Sequence, residues 1–506
     1  MVKAVAAFLT AIERELGADA IEPSVEAVER YGDTTMPSGG RRVDAVLLPR
    51  SVTDVVTTVR LANEYQVGLY PVSAGHNLGL GTRSPVRDGQ IVIDLGRRMN
   101  RILELNEELG YAVVEPGVTF QALHDELVRR GDKFMISATS GPPLGSVLGN
   151  ALDKGAGYSP YFDHFGTLCG FEAVLGNGST IRTGDGSLDN DTLPNWPVSK
   201  YTIGPILDGL FAQSNFGIIV RAAIWLMPRP PVIRTFHATF ERDTDISAII
   251  DAIRPLKLTN FVPTLFRVAN DLYAIGPEER AENLGRRPGA REITAEERRL
   301  LREKHGLGAW QASAAFYAGS EGDIAPMLAR VSSHFLNKGA VRIIDHAQAQ
   351  LIPSLLIASD AFSGRPSTAE LRLLSWRPGG GAIWFLPGTP MSGRTAAELD
   401  VLARGLFAQH GFDYIIMHVA GGRFARSLYL ILFDRRSAEE CRRADACYRA
   451  LTSAYATRGI GVGRAAIDYH GLHMDLQMPA FQQAVLAVKR ALDPNGVIAP
   501  GKYGIG

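Results

Sequence analysis

The sequence predicts an α+β protein of two domains, in which the second domain interrupts the first. A glycine-punctuated turn, Pro71–Gly81, directly follows an apolar run typical of a buried strand. From about Val232 the glycine-rich turns are replaced by longer alternating strand and helix patterns. Turns rich in glycine and proline return over residues 491–502. The predicted division is a first domain over residues 1–229 and 461–506 and a second over residues 230–460.

Local patterns place the elements of the first domain. Ser51 is predicted to cap a helix, because its hydroxyl can accept a hydrogen bond from a backbone N–H of the first turn. Residues 90–94 predict a buried strand, and Thr119 predicts the start of a helix over Phe120–Arg129. The dipeptide Asn177-Gly178 predicts a two-residue hairpin turn. The domain is therefore expected to mix strands and helices.

Composition and charge exclude several classes of function. The chain has 506 residues, with 53 Lys+Arg against 53 Asp+Glu and a formal net charge of +0. This balance gives no electrostatic case for binding nucleic acid or an anionic membrane surface. No apolar run approaches the roughly 20 residues of a spanning helix, and the N-terminal stretch is typical of an amphipathic helix rather than a signal peptide. The three cysteines fit neither a disulfide framework nor a zinc site, so a cytoplasmic protein without metal is expected.

Two glycine-rich segments are candidate anion-binding elements. The glycines of Pro71–Gly81 permit positive φ and close backbone approach, and consecutive N–H groups of such a turn can surround a pyrophosphate. The second segment is Gly141–Asn150. Either segment alone is compatible with an ordinary turn, but the two together favour phosphate binding.

Eight motifs in a fixed order extend this interpretation over nearly the whole chain. They are Gly75-His76-Asn77, VVEPGV at 113–118, GSVLGN at 145–150, GAGYSPY at 155–161, GLFAQSNFG at 209–217, WLMP at 225–228, WRPG at 376–379 and IAPGK at 498–502. In this order they resemble the FAD-dependent vanillyl-alcohol oxidase and 4-cresol dehydrogenase family. The resemblance implies a two-domain FAD-binding fold of the vanillyl-alcohol oxidase type, with a cap domain built on a large antiparallel sheet and the isoalloxazine at the domain interface.

The resemblance also implies the chemistry. It indicates an FAD-dependent oxidoreductase that removes hydride from an alcohol, an amine or a benzylic-type C–H of a small organic molecule, expected to be aromatic. The residues that it assigns to FAD are Pro71, Ser73, Ala74, Gly75, His76, Asn77, Leu78, Pro116, Gly145, Ser146, Gly149, Asn150, Gly217, Ile219, Arg423 and Lys502.

Three positions depart from the family's phenol-binding pattern. Leu80 stands at the first tyrosine position, Gly463 precedes Arg464 where a second tyrosine is expected, and Ser140–Pro143 offers no acid/base aspartate. The substrate is therefore expected to differ, and simple para-alkylphenols are expected to react poorly. Two alternatives stay open: a para-phenol oxidase with Tyr469 and Arg464 in a rearranged phenolate site, and a non-catalytic flavin- or ligand-binding homologue.

The attachment of FAD is a further open point. Many members of the family bond the flavin covalently to a cap residue, but the corresponding stretch here, Arg423–Tyr429, has no histidine. His76 of the glycine-rich turn is the first candidate tether and Tyr429 the second. The alternative is that neutral His76 only hydrogen-bonds a phosphate or backbone group.

Flavin oxidation of an alcohol or amine needs a proton acceptor and positive charge near the flavin N1. Tyr469 and His470 are the candidate bases, because the resemblance places them at the substrate pocket. Tyr158 corresponds to a pocket tyrosine of the family. Arg377 and Arg464 are the candidates for anion stabilisation, since an arginine is always charged and offers a planar fork of donors.

The expected partners follow from the same resemblance. They are a small-molecule substrate and an electron acceptor, either O₂ or a protein such as a cytochrome. The sequence does not decide between oxidase and dehydrogenase. A homo-oligomer is expected because oligomers are usual in the family.

Overall fold

Helices and strands follow one another throughout the chain, of which the computed structural model describes residues 2–190, 192–284 and 292–506. The α-helices are α1 (Val2–Leu16), α2 (Val25–Gly32), α3 (Val52–Tyr65), α4 (Phe120–Arg129), α5 (Val147–Leu152), α6 (Ile246–Leu258), α7 (Asp271–Ile275), α8 (Ala295–His305), α9 (Glu321–Leu336), α10 (His346–Ala349), α11 (Pro353–Phe362), α12 (Gly393–His410), α13 (Ala438–Ala456), α14 (His470–Asp475) and α15 (Pro479–Leu492).

The strands form four sheets within these described ranges. They are β1 (Val43–Leu47), β2 (Leu69–Val72), β3 (Gln90–Asp94), β4 (Ile102–Asn106), β5 (Tyr111–Val114), β6 (Phe134–Met135), β7 (Leu168–Leu175), β8 (Thr180–Arg182), β9 (Gly217–Trp225), β10 (Met227–Pro228), β11 (Val232–Phe240), β12 (Phe266–Asn270), β13 (Trp310–Ala318), β14 (Arg342–Ile344), β15 (Gly381–Pro390), β16 (Ile416–Ala420), β17 (Phe424–Phe433) and β18 (Val462–Arg464).

A small parallel sheet carries the first glycine-rich turn. Its strands are paired in the order β1-β3-β2, and the turn begins where β2 ends. Helix α3 precedes β2, and its predicted cap is confirmed because Oγ of Ser51 accepts a hydrogen bond from the N–H of Asp54 at 3.2 Å. The N–H of Leu69 in β2 donates to the carbonyl of Val497 at 2.8 Å. The C-terminal segment therefore packs against the first part of the chain.

A five-stranded antiparallel sheet, in the order β4-β5-β9-β7-β8, completes this part of the fold. Helix α4 has the predicted bounds, and Oγ1 of Thr119 accepts from the N–H of Ala122 at 3.0 Å. The predicted two-residue turn at Asn177-Gly178 is wrong in length, because residues 176–179 separate β7 from β8. Oδ1 of Asn177 accepts from the N–H of Ser179 at 2.9 Å, and this local bond favours the wider loop.

An eight-stranded sheet forms the cap, in the order β14-β11-β13-β12-β16-β17-β15-β18. Its strands pair antiparallel within the described residues, and one buried apolar cluster joins one face of the sheet to helices α6, α9, α12 and α13. β11 begins at Val232, where the sequence pattern changes. The three-part domain division stays a prediction. Strand β18 does not follow the predicted boundary, because it lies within residues 461–506 yet pairs with β15 of the cap sheet.

The helices also bear on membrane association. Among the described residues, no helix combines the length and apolar character needed to cross a membrane. Helix α1 is amphipathic as predicted, with Phe8 and Ile12 fully buried and Lys3 and Glu13 exposed.

Candidate active site

A cavity of about 850 Å³ lies where four parts of the chain meet. Both glycine-rich segments, the cap sheet and the C-terminal segment contribute to its lining. The cavity therefore lies between the glycine-rich segments and the cap sheet, where the family resemblance leads us to expect the flavin ring.

The first glycine-rich turn carries unpaired backbone donors. Gly75 and Gly79 have φ angles of 68° and 75°, in the left-handed region that glycine adopts at no steric cost. The N–H groups of residues 74–76 donate no hydrogen bond to any residue within the described ranges, and residues 75 and 76 line the cavity. Consecutive N–H groups of this kind form an anion-binding concavity, which fits the pyrophosphate of a dinucleotide.

The second glycine-rich segment packs directly against the first. Oγ of Ser146 accepts from the N–H of Gly149 at 2.8 Å and donates to the carbonyl of Pro116 at 2.6 Å. A Cβ added at Gly149 would lie 2.2 Å from Oγ of Ser73. Gly149 thus permits a close approach that a larger residue would obstruct.

Asp153, at the end of α5, organises the charges of the cavity. It accepts hydrogen bonds from Nε of Arg464 at 3.0 Å, from the hydroxyl of Tyr503 at 2.9 Å and from Nδ2 of Asn77 at 3.3 Å. Burial acts to raise the pKa of Asp153, but the charge of Arg464 and the hydrogen bonds from Arg464 and Tyr503 outweigh it and lower that pKa. Asp153 therefore stays ionised and neutralises Arg464.

Lys502 contributes a second positive charge. Its Nζ lies 4.8 Å from the centre of the Tyr70 ring, and it has no hydrogen bond or ion pair with a residue that the structure describes. Burial lowers the pKa of Lys502 even though Asp153 acts to raise it. The chain thus leaves this ammonium group available for an anion in the cavity.

The cap sheet supplies a largely apolar wall. Side chains of a strand alternate between its two faces, so alternate residues of β17 and its neighbours reach the cavity. The cavity-lining residues on these strands are Trp384, Leu386, Met417, Val419, Phe424, Arg426, Leu428 and Arg464. Such a surface suits a flat apolar ring.

A buried polar cluster stands beside this wall. The hydroxyl of Tyr273 donates to Oε1 of Glu370 at 2.5 Å, and Nη2 of Arg267 donates to Oε2 of Glu370 at 2.9 Å. Nη1 of Arg267 donates to Oγ of Ser140 at 2.6 Å, and Ser140 donates to the hydroxyl of Tyr158 at 3.0 Å. The two tyrosines and Glu370 line the cavity. This cluster can accept or pass a proton.

The sequence interpretation includes only Tyr158 and Ser140 of this cluster and misses the other three. Tyr273 lies in the middle of helix α7, while Glu370 lies in a short 3₁₀ turn 97 positions away. No motif joins them, and only the fold brings their side chains together.

Most of the sequence-predicted residues reach the cavity. Those that line it are Pro71, Ser73, Gly75, His76, Asn77, Leu78, Pro116, Gly145, Ser146, Gly149, Asn150, Tyr158, Gly217, Ile219, Arg423, Arg464, His470 and Lys502. Four do not: Ala74, Arg377, Tyr469 and the second tether candidate, Tyr429.

Arg377 has a structural ion pair in place of the predicted flavin contact. Its guanidinium is buried beside Glu440 and Asp413, with nitrogen–oxygen distances of 3.2 and 3.8 Å. Tyr469 is fully buried and its ring stacks on Tyr448 with 3.7 Å between centroids. These placements remove both residues from the candidate catalytic set.

His470 lines the cavity but is not available as a base. Its Nδ1 accepts a hydrogen bond from the N–H of Tyr503 at 3.0 Å, and its ring stacks on Tyr503 at 4.7 Å. Burial lowers the pKa of His470 to about 4. The residue is neutral and serves to position Tyr503.

The two tether candidates lie in different environments. His76 lines the cavity, and burial, aided by the charge of Arg83, lowers its pKa. Tyr429 belongs to the opposite face of β17, where it is fully buried and its hydroxyl lies 2.6 Å from that of Tyr455. Tyr429 therefore cannot meet a group in the cavity without rearrangement of the core.

Fold and cavity together define an FAD-binding oxidoreductase, and comparison with known proteins agrees. The profile of the FAD binding domain matches residues 43–184. The chain is 32% identical to the 4-cresol dehydrogenase [hydroxylating] flavoprotein subunit of Pseudomonas putida, covering 97% of this chain and 94% of the relative. It is also 32% identical to the 1'-carboxy-chondrochloren decarboxylase of Chondromyces crocatus, covering 99% and 97%.

Solved structures give the same result. The structure of p-cresol methylhydroxylase with substrate bound matches with a TM-score of 0.96 and 30% identity over 100% of this chain and 98% of that one. An isoeugenol complex of 4-ethylphenol oxidase from Gulosibacter chungangensis matches with a TM-score of 0.95, 30% identity and the same coverage. The protein belongs to the vanillyl-alcohol oxidase and 4-cresol dehydrogenase family. It is an FAD-dependent oxidoreductase, which favours the enzymatic interpretation over the non-catalytic alternative.

Proposed function

We propose that this protein oxidises a small aromatic molecule at a carbon attached to the ring, with FAD held along the glycine-rich turn. The supporting observation is the cavity itself, where the N–H groups of residues 75 and 76 donate to no described residue in one part and the cap sheet forms an apolar wall in another. The N–H groups and Lys502 would hold the pyrophosphate. When bound, FAD supplies the hydride acceptor.

The cavity favours a substrate other than a simple para-alkylphenol. The relatives are named as a dehydrogenase, an oxidase and a decarboxylase, so family membership does not specify which reaction this protein catalyses. Leu80 supplies no hydroxyl, and Asp153 already neutralises Arg464. The alternative phenolate site of Tyr469 and Arg464 has no support, because Tyr469 lies outside the cavity lining. The donors that the family resemblance assigns to a phenolate are therefore missing from the cavity or already paired.

Tyr273 and Glu370 are the proposed proton-handling pair. The Tyr273 hydroxyl lines the cavity and donates to Glu370. Burial and the neighbouring charge of Glu370 raise the pKa of Tyr273 well above its usual range, so the tyrosine stays protonated. A substrate O–H or N–H can donate to Tyr273 while Tyr273 passes its own proton to Glu370. Arg267 holds Glu370 in place through an ion pair with a nitrogen–oxygen distance of 2.9 Å.

His76 is the proposed covalent tether for FAD. Its lowered pKa keeps the imidazole neutral at physiological pH, so one ring nitrogen carries a lone pair. No other residue of the described chain is hydrogen-bonded to its ring. Tyr429 is not retained, because its side chain belongs to the opposite side of the cap sheet.

The electron acceptor and the assembly are inferred from the family, and the location is inferred from the cysteine content. Either O₂ or a cytochrome-type protein fits as the electron acceptor. The homo-oligomer, the cytoplasmic location and the lack of a metal stay predictions.

Anaerobic flavin reduction tests the proposed function. The FAD-loaded protein is mixed with benzyl alcohol, benzylamine, vanillyl alcohol and 4-ethylphenol, and the loss of oxidised-flavin absorbance is followed. A non-phenolic aromatic alcohol or amine is expected to bleach the flavin faster than 4-ethylphenol. Rapid bleaching by the two phenols would contradict the changed substrate class, and no bleaching by any compound would contradict oxidation of aromatic molecules.

A further inference from the structure

Arg426 is a charged residue placed within the apolar wall of the cavity. It is the third residue of β17, and its neighbours on the same face of the strand are Phe424 and Leu428. Nη1 of Arg426 donates to the carbonyl of Lys154 at 2.8 Å. Burial, together with the charge of Arg464, lowers the pKa of Arg426 to about 10. An arginine in such surroundings costs free energy unless an anion accompanies it.

The described residues supply no such anion at ion-pair distance. Among them, no carboxylate oxygen lies within 4.0 Å of the Arg426 guanidinium nitrogens, although Asp153 and Asp163 are near enough to favour its charge. Arg464 on the adjacent part of the wall differs in this respect, because it is paired with Asp153. Of these two cavity-lining arginines, therefore, only Arg464 is neutralised by a described carboxylate.

We propose that Arg426 binds a carboxylate of the substrate, so that the substrate class is an aromatic carboxylic acid. The inference rests on the proposed function and narrows it. A guanidinium offers two parallel N–H groups that match the two oxygens of a carboxylate. Lys154 and Arg423 also line the cavity and add positive charge without belonging to the reacting centre.

Two other anions are less suited to this position. A phenol has a pKa near about 10 and needs several donors to ionise at neutral pH, whereas a carboxylate arrives already charged. A flavin pyrophosphate would find positive charge elsewhere, because Lys502 lines the cavity and has no hydrogen bond or ion pair with a described residue. The apolar neighbours of Arg426 suit the ring of a substrate.

Calorimetric titration of the FAD-loaded protein tests this proposal without requiring turnover. The probes are benzoate, phenylacetate and 3-phenylpropanoate, which differ in the distance between the ring and the carboxylate. Each acid is compared with its methyl ester, which lacks the charge. At least one acid is expected to bind about tenfold or more tightly than its ester, since hydrogen bonds to charged groups are worth about 1.5–3 kcal/mol. Arg426→Gln is expected to abolish this preference, and Arg426→Lys to keep part of it.

The control variant is Arg394→Gln on helix α12, which is exposed and outside the cavity lining. It is expected to keep the full preference. FAD affinity is measured in every variant. The proposal is overturned if wild type shows no preference for any acid, if the preference survives in Arg426→Gln, or if Arg426→Gln releases FAD and changes nothing else.

The two proposals fail in different ways. Acid binding that depends on Arg426, without flavin reduction by any aromatic compound, supports the carboxylate site and counts against the oxidation. Flavin reduction by a neutral aromatic alcohol, with acids and esters binding equally, supports the oxidation and overturns the carboxylate site.

Discussion

Arg464 donates hydrogen bonds from both Nε and Nη2 to the same oxygen, Oδ2, of Asp153. Asn77 of the glycine-rich turn and Tyr503 of the C-terminal segment bind the same carboxylate. One side chain thus connects the turn, the end of α5, the last cap strand and the C-terminal segment. The relative positions of these four segments therefore depend on the charge of Asp153.

The first prediction is that Asp153→Asn destabilises the protein and removes part of its acid sensitivity. Removing one partner leaves the Arg464 charge largely buried without compensation, and we expect a loss of about 3 kcal/mol. The pKa of Asp153 is lower in the folded than in the unfolded state. Its contribution to stability is therefore complete above the unfolded carboxyl pKa of about 3.9 and is lost as pH falls through the folded-state pKa.

Denaturant unfolding between about pH 2.5 and 7 measures both effects. The difference between wild type and Asp153→Asn should shrink as pH falls through the lower part of this range. Asp163→Asn, at an exposed position of the same cavity, is the control and should change stability little. A difference that stays constant with pH would show that the charge of Asp153 is not what stabilises the fold.

The second prediction concerns proton transfer. Tyr273→Phe and Glu370→Gln are each expected to slow flavin reduction about 10²- to 10⁴-fold, the usual contribution of general acid–base catalysis. The measurement is stopped-flow reduction by the best aromatic substrate, with FAD content and substrate affinity measured alongside.

Tyr65→Phe is the matched control, because Tyr65 ends helix α3 and lies outside the cavity lining. A reduction rate that stays within about threefold of wild type in both Tyr273→Phe and Glu370→Gln would assign proton acceptance to another group. Tyr158 would then be the next residue to test.

The third prediction is that the flavin stays with the protein after acid precipitation. Yellow colour in the washed pellet indicates a covalent bond, and His76→Ala is expected to release the colour to the supernatant. His124→Ala is a control, since His124 lies on α4 and does not line the cavity. Colour in the wild-type supernatant would limit His76 to a non-covalent contact.

The fourth prediction tests the contact between the glycine-rich turn and the cap sheet. The carbonyl of Gly79 accepts a hydrogen bond from the N–H of Trp384 at 3.0 Å, and a Cβ at Gly79 would lie 2.4 Å from the indole ring. Gly79 also has a φ of 75°. Gly79→Ala is therefore expected to displace Trp384 and weaken FAD binding at least tenfold, as measured by fluorescence titration.

Gly405→Ala is the corresponding control. Gly405 lies inside helix α12 with open space where a Cβ would be added. Alanine there should raise stability by about 0.5–1 kcal/mol, because it favours the helix over the unfolded chain. Equal losses of FAD affinity in both variants would mean that the contact with Trp384 is not the cause.

Local chemistry explains what could be predicted from the sequence. Ser51 and Thr119 cap their helices as predicted, because a cap depends on a hydroxyl and an N–H only three residues away. The glycine-rich turn was recognisable for the same reason, since its backbone conformation depends on Gly75 and Gly79 themselves.

Long-range contacts explain the rest. Arg377 belongs to the WRPG motif that resembles the family's, yet Glu440, 63 positions later, binds its side chain. Tyr273 and Glu370 are 97 positions apart and meet only in the folded protein. Tyr429 was a reasonable tether candidate by position, but its face of β17 depends on the register of the whole sheet.

The Asp153 contacts also bear on the order in which the protein can be made. Arg464 and Tyr503 lie 311 and 350 positions after Asp153, so Asp153 leaves the ribosome long before either partner has been synthesised. The glycine-rich turn, which precedes Asp153, is likewise made before the residues that pack against it. The charge network of the pocket can therefore form only after Tyr503 has been synthesised, and chains that end before this residue would expose an unfinished pocket to the cell's quality control.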